Sequence, residues 1–139
     1  MKVVLDTDVM VAAVESAAGA SRQLLIRALR GALDVACSPS LFVEYEAVLT
    51  RPERLAAAGT TDGAVRALLD ALAEVIEPVS LDFRWRPTGA DPDDELVLET
   101  AINGEASAIV TFNIRHMTAA ADFGIAVMRP AEALRRVKA

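Results

Sequence analysis

Val3-Val4-Leu5-Asp6-Thr7-Asp8 constrains this chain more than any other stretch. Three apolar residues, two of them β-branched, read as a buried strand. Two carboxylates follow, two positions apart. In an extended chain alternate side chains point the same way, so Asp6 and Asp8 converge where the strand ends. Open α/β sheets bind ligands outside the carboxyl ends of their strands. A buried strand running into paired acids is therefore a candidate metal or phosphoryl site. The plainer alternative is a strand followed by a helix that Asp8 caps.

The 139 residues suit one domain spanning 1–139, and 53% hydrophobic content, much of it alanine, favours a helix-rich core. Net charge is −6, and lysine occurs only at Lys2 and Lys138. Such a balance does not advertise nucleic-acid binding, although it describes only the average surface. The single cysteine, Cys37, excludes an internal disulfide, fits a reducing compartment and reads as a small buried apolar residue. With His116 the only histidine, zinc sites built on several His or Cys side chains are excluded. No nucleophile-elbow pattern accompanies it. The acids remain as the catalytic material. The apolar run after Lys2 is broken by Asp6 and Asp8, well short of a signal-peptide core, and no apolar stretch reaches membrane-spanning length. The expectation is a cytoplasmic protein with no membrane partner.

Helix and strand signals alternate along the chain. A helix is expected over Val9 to Val14, and another over Arg22 to Arg30, capped by Ser21, burying Leu24, Leu25, Ala28 and Leu29 and stopped by Gly31. Leu33 to Cys37 reads as a strand. Ser38-Pro39-Ser40 opens a helix over Leu41 to Leu49, and Pro52 to Ala58 a shorter one closed by Gly59. Thr61-Asp62 caps a helix to about Ala73. Val75 to Leu81 reads as a third strand limited by Pro78, and Asp82 to Ala90 as a loop. A helix from Asp91-Pro92 to Ile102, strands over Ala108 to Phe112 and Ile125 to Met128, a short helix over His116 to Ala121 and a closing helix over Pro130 to Val137 complete the chain. The alternation predicts an α/β domain with a mostly parallel sheet of about five strands.

Asp91-Pro92-Asp93-Asp94 is the second acidic stretch. Capping, proline at the first helical position and the helix dipole account for Asp91 and Asp93. Asp94 differs: a helical wheel aligns it with Leu98 and Ala101, between Val97 and Ile102, at the centre of the buried face. A carboxylate aimed at the core needs a partner. Glu44 and Glu46 flank the apolar face of their helix symmetrically, and periodicity does not choose between them. If such acids meet they repel, two charges ~4 Å apart by about 4 kcal/mol at an effective dielectric near 20. A divalent cation offsets this, and oxygen-only ligands suit Mg²⁺ or Mn²⁺. The reaction class that needs no His, Cys or Lys is metal-assisted phosphodiester hydrolysis, by in-line attack of an activated water.

Four motifs together resemble the PIN-domain ribonucleases, most closely the VapC-like toxins of bacterial toxin–antitoxin pairs. They are Val-Leu-Asp-Thr-Asp-Val at Val4 to Val9, Ser-Pro-Ser-Leu-Phe-Val-Glu-Tyr-Glu-Ala-Val-Leu-Thr-Arg-Pro at Ser38 to Pro52, Asp-Pro-Asp-Asp-Glu-Leu-Val-Leu-Glu-Thr-Ala at Asp91 to Ala101, and Ile-Val-Thr-Phe-Asn at Ile109 to Asn113. The resemblance implies a three-layer α/β/α PIN-like domain. It implies RNA cleavage with Mg²⁺ or Mn²⁺ held by Asp6, Glu44 and Asp94, a homodimer, and a cognate antitoxin covering the site. It favours Glu44 over Glu46. Two positions depart from the family pattern. Asp8 stands where Asn is frequent and Asn113 where Asp is frequent, so a charge gained at one offsets a charge lost at the other. Asp8, Thr111 and Asn113 are the expected supporting residues.

Trp85 between Arg84 and Arg86 suits a partner contact or local packing better than base stacking, and Arg115 with His116 suits an RNA phosphate or a plain surface position equally. Two other functions compete. A PIN-like binding or regulatory module with weak catalysis is motivated by Asn113. A haloacid-dehalogenase-like phosphatase shares Asp6-Thr7-Asp8 but needs a mid-chain lysine, and the chain has none between Lys2 and Lys138.

Overall fold

The computed structural model describes residues 1–82 and 92–137, the side chains of 92–94 excepted. In order the elements are β1 (Lys2–Leu5), α1 (Thr7–Glu15), α2 (Ala20–Leu29), β2 (Asp34–Cys37), α3 (Pro39–Leu49), α4 (Pro52–Ala58), α5 (Asp62–Val75), β3 (Glu77–Pro78), α6 (Pro92–Asn103), β4 (Ala108–Val110), a 3₁₀ segment (Ile114–Phe123), β5 (Ala126–Met128) and α7 (Pro130–Val137).

The sheet has the order β3-β2-β1-β4-β5, and every pairing is parallel. Helices cover it in a three-layer α/β/α arrangement. α2 packs against α1, α5 and α7, whereas α6 packs against β1, β2, β4 and the 3₁₀ segment. β1 is central, and its Val3, Val4 and Leu5 are buried, as a parallel strand covered on both faces requires. Strand order reverses between β1 and β4, so the crevice beyond their carboxyl ends is the topological switch point.

The short signals that set the helices are visible in the geometry. Ser38 caps α3 through a hydrogen bond from the Leu41 N–H (3.2 Å), and Thr61 caps α5 through one from Ala64 (3.1 Å). Gly31 and Gly59 take left-handed backbone at φ +75° and +63° where α2 and α4 end. The Ser38 hydroxyl also lies 2.8 Å from the Thr100 hydroxyl, which donates to the Leu96 carbonyl, so the start of α3 is tied to the middle of α6.

Several boundaries differ from expectation. α1 begins at Thr7, because Asp6 rather than Asp8 is its cap. α2 begins at Ala20 after Gly19, so Ser21 is buried within the helix instead of capping it. The third strand shrinks to Glu77–Pro78: α5 continues through Val75, and Pro78 has no N–H to extend a ladder. The Asp82 to Ala90 loop beyond Asp82, Trp85 with its flanking arginines, and the Asp91 cap lie outside the described residues.

Glycine at 104 answers to space rather than to φ. The left-handed position after α6 is held by Glu105 (φ +53°). A Cβ on Gly104 would meet Val79 Cγ2 at 2.9 Å, the Thr100 carbonyl at 3.0 Å and Ala36 Cβ at 3.3 Å. Gly63, in the first turn of α5, has nothing within 4 Å of such a Cβ. Gly104→Ala is therefore expected to destabilise by about 1–3 kcal/mol. Gly63→Ala is expected to stabilise by about 0.4–1 kcal/mol. Urea midpoints at unchanged m-value measure both.

Candidate metal centre

The sequence pair Asp6 and Asp8 meets at the switch point, by a route other than strand alternation. Asp6 ends β1, its own N–H donating to the Val110 carbonyl of β4 at 2.9 Å. Its Oδ1 accepts the Thr7 N–H at 2.7 Å, which opens α1. Asp8 then rides on the first turn of α1, where the helix dipole favours a carboxylate. The two acids converge across a strand-to-helix turn, and Thr111 at the end of β4 lies between them. Its hydroxyl is 2.8 Å from Asp6 Oδ2 and 3.4 Å from Asp8 Oδ2.

Asp8 is held from the β4 side. Its Oδ2 accepts the Phe112 N–H and the Asn113 Nδ2–H, each at 3.1 Å. The Asn113 N–H in turn donates to the Thr111 hydroxyl at 2.9 Å. The two residues that depart from the PIN pattern thus touch each other. Even so, burial first and the neighbouring Asp6 carboxylate second push the Asp8 carboxyl up from 3.8 to about 6. Hydrogen bonds from Phe112, Val9 and Thr111 pull the other way.

Glu44 joins the group from α3. Its Oε2 accepts the hydroxyl of Thr7, the residue between the two aspartates. Glu46 turns elsewhere, toward Arg66 at 3.6 Å, and is half exposed. The helical wheel leaves the two equivalent; in the structure α3 turns Glu44 to Thr7 at the end of β1 and Glu46 to Arg66 of α5. Tyr45 lies between them, fully buried, its hydroxyl donating to the Leu5 carbonyl one residue before Asp6. That bond fixes α3 against the strand end, and with it the position of Glu44.

Thr7 and Tyr45 are positioning residues that the sequence reading passed over. Thr7 was visible only as the spacer in Asp-Thr-Asp, and Tyr45 only as an apolar wheel position. Glu95 and Glu99, 8% and 1% exposed, were missed as well. The buried face of α6 is wider than the wheel indicated, because the helix lies against the sheet on one side and the 3₁₀ segment on another. The side chain of Asp94 lies outside the described residues; its backbone belongs to the first turn of α6.

Among the described residues no three His, Cys, Asp or Glu side chains group closely enough to hold a metal ion. The donor chemistry nevertheless fits a hard divalent cation. Asp8 Oδ1 is buried with no hydrogen-bond partner, beside a second carboxylate and within an all-oxygen set. A buried acceptor without a donor is costly, and a cation satisfies it.

Comparison with known proteins agrees with this architecture. A family model described as the PIN domain matches residues 2–115. Among solved structures, the chain is similar to VapBC2 from Rickettsia felis, crystallised bound to a DNA fragment from its promoter. That match has a TM-score of 0.61 and 15% identity over 91% of this chain and 97% of that one. At such identity the likeness is one of fold. No curated protein matches the chain.

The raised Asp8 carboxyl sets a pH dependence. Between 3.8 and about 6 the folded protein holds a proton that the unfolded chain has released. Unfolding free energy therefore falls as pH rises through that window. In EDTA the urea midpoint of the wild type should decline from pH 4 to pH 6 more steeply than that of Asp8→Asn. Parallel curves for the two proteins would show that Asp8 ionises as an ordinary surface acid.

Proposed function

The chain belongs to the PIN-domain family, and from that membership we propose that it is a metal-dependent endoribonuclease, the toxin of a toxin–antitoxin pair. The observation that carries the reading is the pairing of Asp6 and Asp8 around the Thr111 hydroxyl at the switch point, with Glu44 tied in through Thr7. The four motifs shared with VapC-like toxins and the fold likeness to VapBC2 support the toxin assignment.

Asp6, Glu44 and Asp94 are the proposed ligands of Mg²⁺ or Mn²⁺. The bound cation supplies Lewis acidity toward a phosphoryl oxygen and lowers the pKa of water. The protein's own part is positioning. The Thr7 N–H and the Thr111 hydroxyl fix both oxygens of Asp6. Asn113 and the Phe112 N–H fix one oxygen of Asp8 and leave the other buried without a hydrogen-bond partner. Asn113 in this role compensates for Asp8: a neutral donor beside an extra carboxylate keeps the local charge near that of an Asn–Asp pair. This favours an active enzyme over a binding module.

The proposed partners are an RNA substrate, a cognate antitoxin and a second copy of the chain, and the proposed compartment is the cytoplasm. Among the described residues no single helix is long and apolar enough to cross a membrane.

Purified protein should cleave bulk RNA in Mn²⁺ and stop in EDTA. Asp6→Asn and Asp94→Asn should each reduce the rate by about 100-fold or more, the scale of losing one electrostatic contributor to a phosphoryl-transfer site. Asn113→Ala, which removes a support rather than a ligand, should lose about 10- to 100-fold. Absence of cleavage in any metal, with no Mn²⁺ uptake by calorimetry, would reject the nuclease.

A further inference from the structure

An acidic protein whose reaction centre is a cluster of carboxylates must hold a polyanion with cations placed nearby. Five of the eleven described lysines and arginines are engaged elsewhere. Lys2 pairs with Glu77, Arg54 with Glu15, Arg66 with Asp62, and Arg136 with Glu132. Arg22 donates to the Ala13 and Val14 carbonyls. Arg115 and Arg129 are exposed and, like Arg30, Arg51 and Arg135, have no carboxylate partner among the described residues; what sets these two apart is their place beside Asn113.

These two arginines line one trough of 270 Å³, together with Phe112, Asn113, Ile114 and His116. Asn113 belongs also to the acid cluster, so trough and cluster adjoin. Arg129 donates to the Phe112 carbonyl at 3.4 Å, while the Phe112 N–H donates to Asp8 at 3.1 Å. One residue thus links the cationic wall to the carboxylates.

Phe112 is itself unusual. Its side chain leaves the residue 40% exposed, which makes it one of four large hydrophobics so placed among the described residues. Phe112 and Arg129 also wall a second, mainly apolar hollow of 340 Å³, formed with Ala12, Gly19, Ala20 and Pro130. Phe112 and Arg129 therefore border both hollows, directly beside the acids.

We propose that Arg115 and Arg129 bind the phosphate adjacent to the one that is cut, and that Phe112 stacks on the neighbouring base. The proposal rests on the nuclease reading of the acid cluster. The stacking role calls for a base free of its own duplex, because an exposed ring can stack only on such a base. Alternation of phosphate and base along a strand matches alternation of cationic and apolar hollows along the surface. An acidic protein segment would use the arginines but has no equivalent use for a ring bordering both hollows.

The test is fluorescence anisotropy of a short labelled single-stranded oligoribonucleotide, titrated in EDTA over a salt series with full-length protein. Arg115→Gln and Arg129→Gln should each lower the slope of log K against log salt by about 0.7. Phe112→Ala should weaken binding roughly 5- to 150-fold without changing that slope, and Phe112→Tyr should restore it. Unchanged melting temperatures exclude misfolding as the cause.

Variants that bind with wild-type affinity and slope would overturn the subsite, as would a wild type that does not bind the strand. So would an arginine-dependent complex with poly-glutamate in place of RNA. Cleavage of bulk RNA in Mn²⁺ by the same proteins separates the two readings. Cleavage with unaltered binding in the variants removes the subsite alone. Impaired binding in the variants without cleavage by the wild type removes the nuclease alone.

Discussion

Two carboxylates share one hydroxyl at the end of the central strand, and the rest of the structure is arranged to tolerate that crowding. Asp6 is 8% exposed, and Asp8 has a buried oxygen without a donor. Repulsion between them is one of the two causes that raise the Asp8 carboxyl to about 6. Left to itself such a pair would relax apart or take up a proton. It is instead held by groups with little freedom: the Thr7 and Phe112 amides, and the Thr111 hydroxyl on a buried residue. Local stability is lost to keep the two carboxylates close.

Rigidity at the site comes from behind it. The Tyr45 hydroxyl grips the Leu5 carbonyl, and Ser38 joins the start of α3 to Thr100 in α6. These bonds lie in the dry interior, where a satisfied polar group specifies one arrangement and an unsatisfied one is penalised. They fix α3 and α6 against β1 independently of the carboxylates. The acids are thus mounted on a frame that is also held by neutral groups behind them.

Much of this was legible in the sequence because it depends on short-range rules. β-Branched residues before Asp6, the Ser38-Pro39 start of α3 and the Gly59 stop each act within a few residues, and each reappears in the structure. Convergence of Asp6 and Asp8 was also legible, but for the wrong reason. Strand alternation and a helix cap both bring positions 6 and 8 together, and only the fold shows that the cap does so. Glu44 against Glu46 was not decidable, because a helical wheel measures direction relative to one apolar face. The choice depends on Thr7 and Arg66, which arrive from other elements. Burial of Glu95 and Glu99 escaped for a related reason: α6 is covered on more than one side, and amphipathic periodicity assumes a single solvent face. Val75 is strand-like by composition yet helical, since α5 had room for another turn and Pro78 left β3 little to pair with.

Net charge was the least informative property of the sequence. A value of −6 argues against a nucleic-acid partner if the surface is treated as uniform. Charge is not distributed uniformly, and its effect falls off over about 8 Å at physiological ionic strength. Within that range of the acid cluster, what matters is which cations are already neutralised. Lys2, Arg54, Arg66 and Arg136 are tied to carboxylates. Arg115 and Arg129 face solvent beside Phe112. An average of −6 therefore coexists with a local cationic wall at that trough, beside the carboxylates.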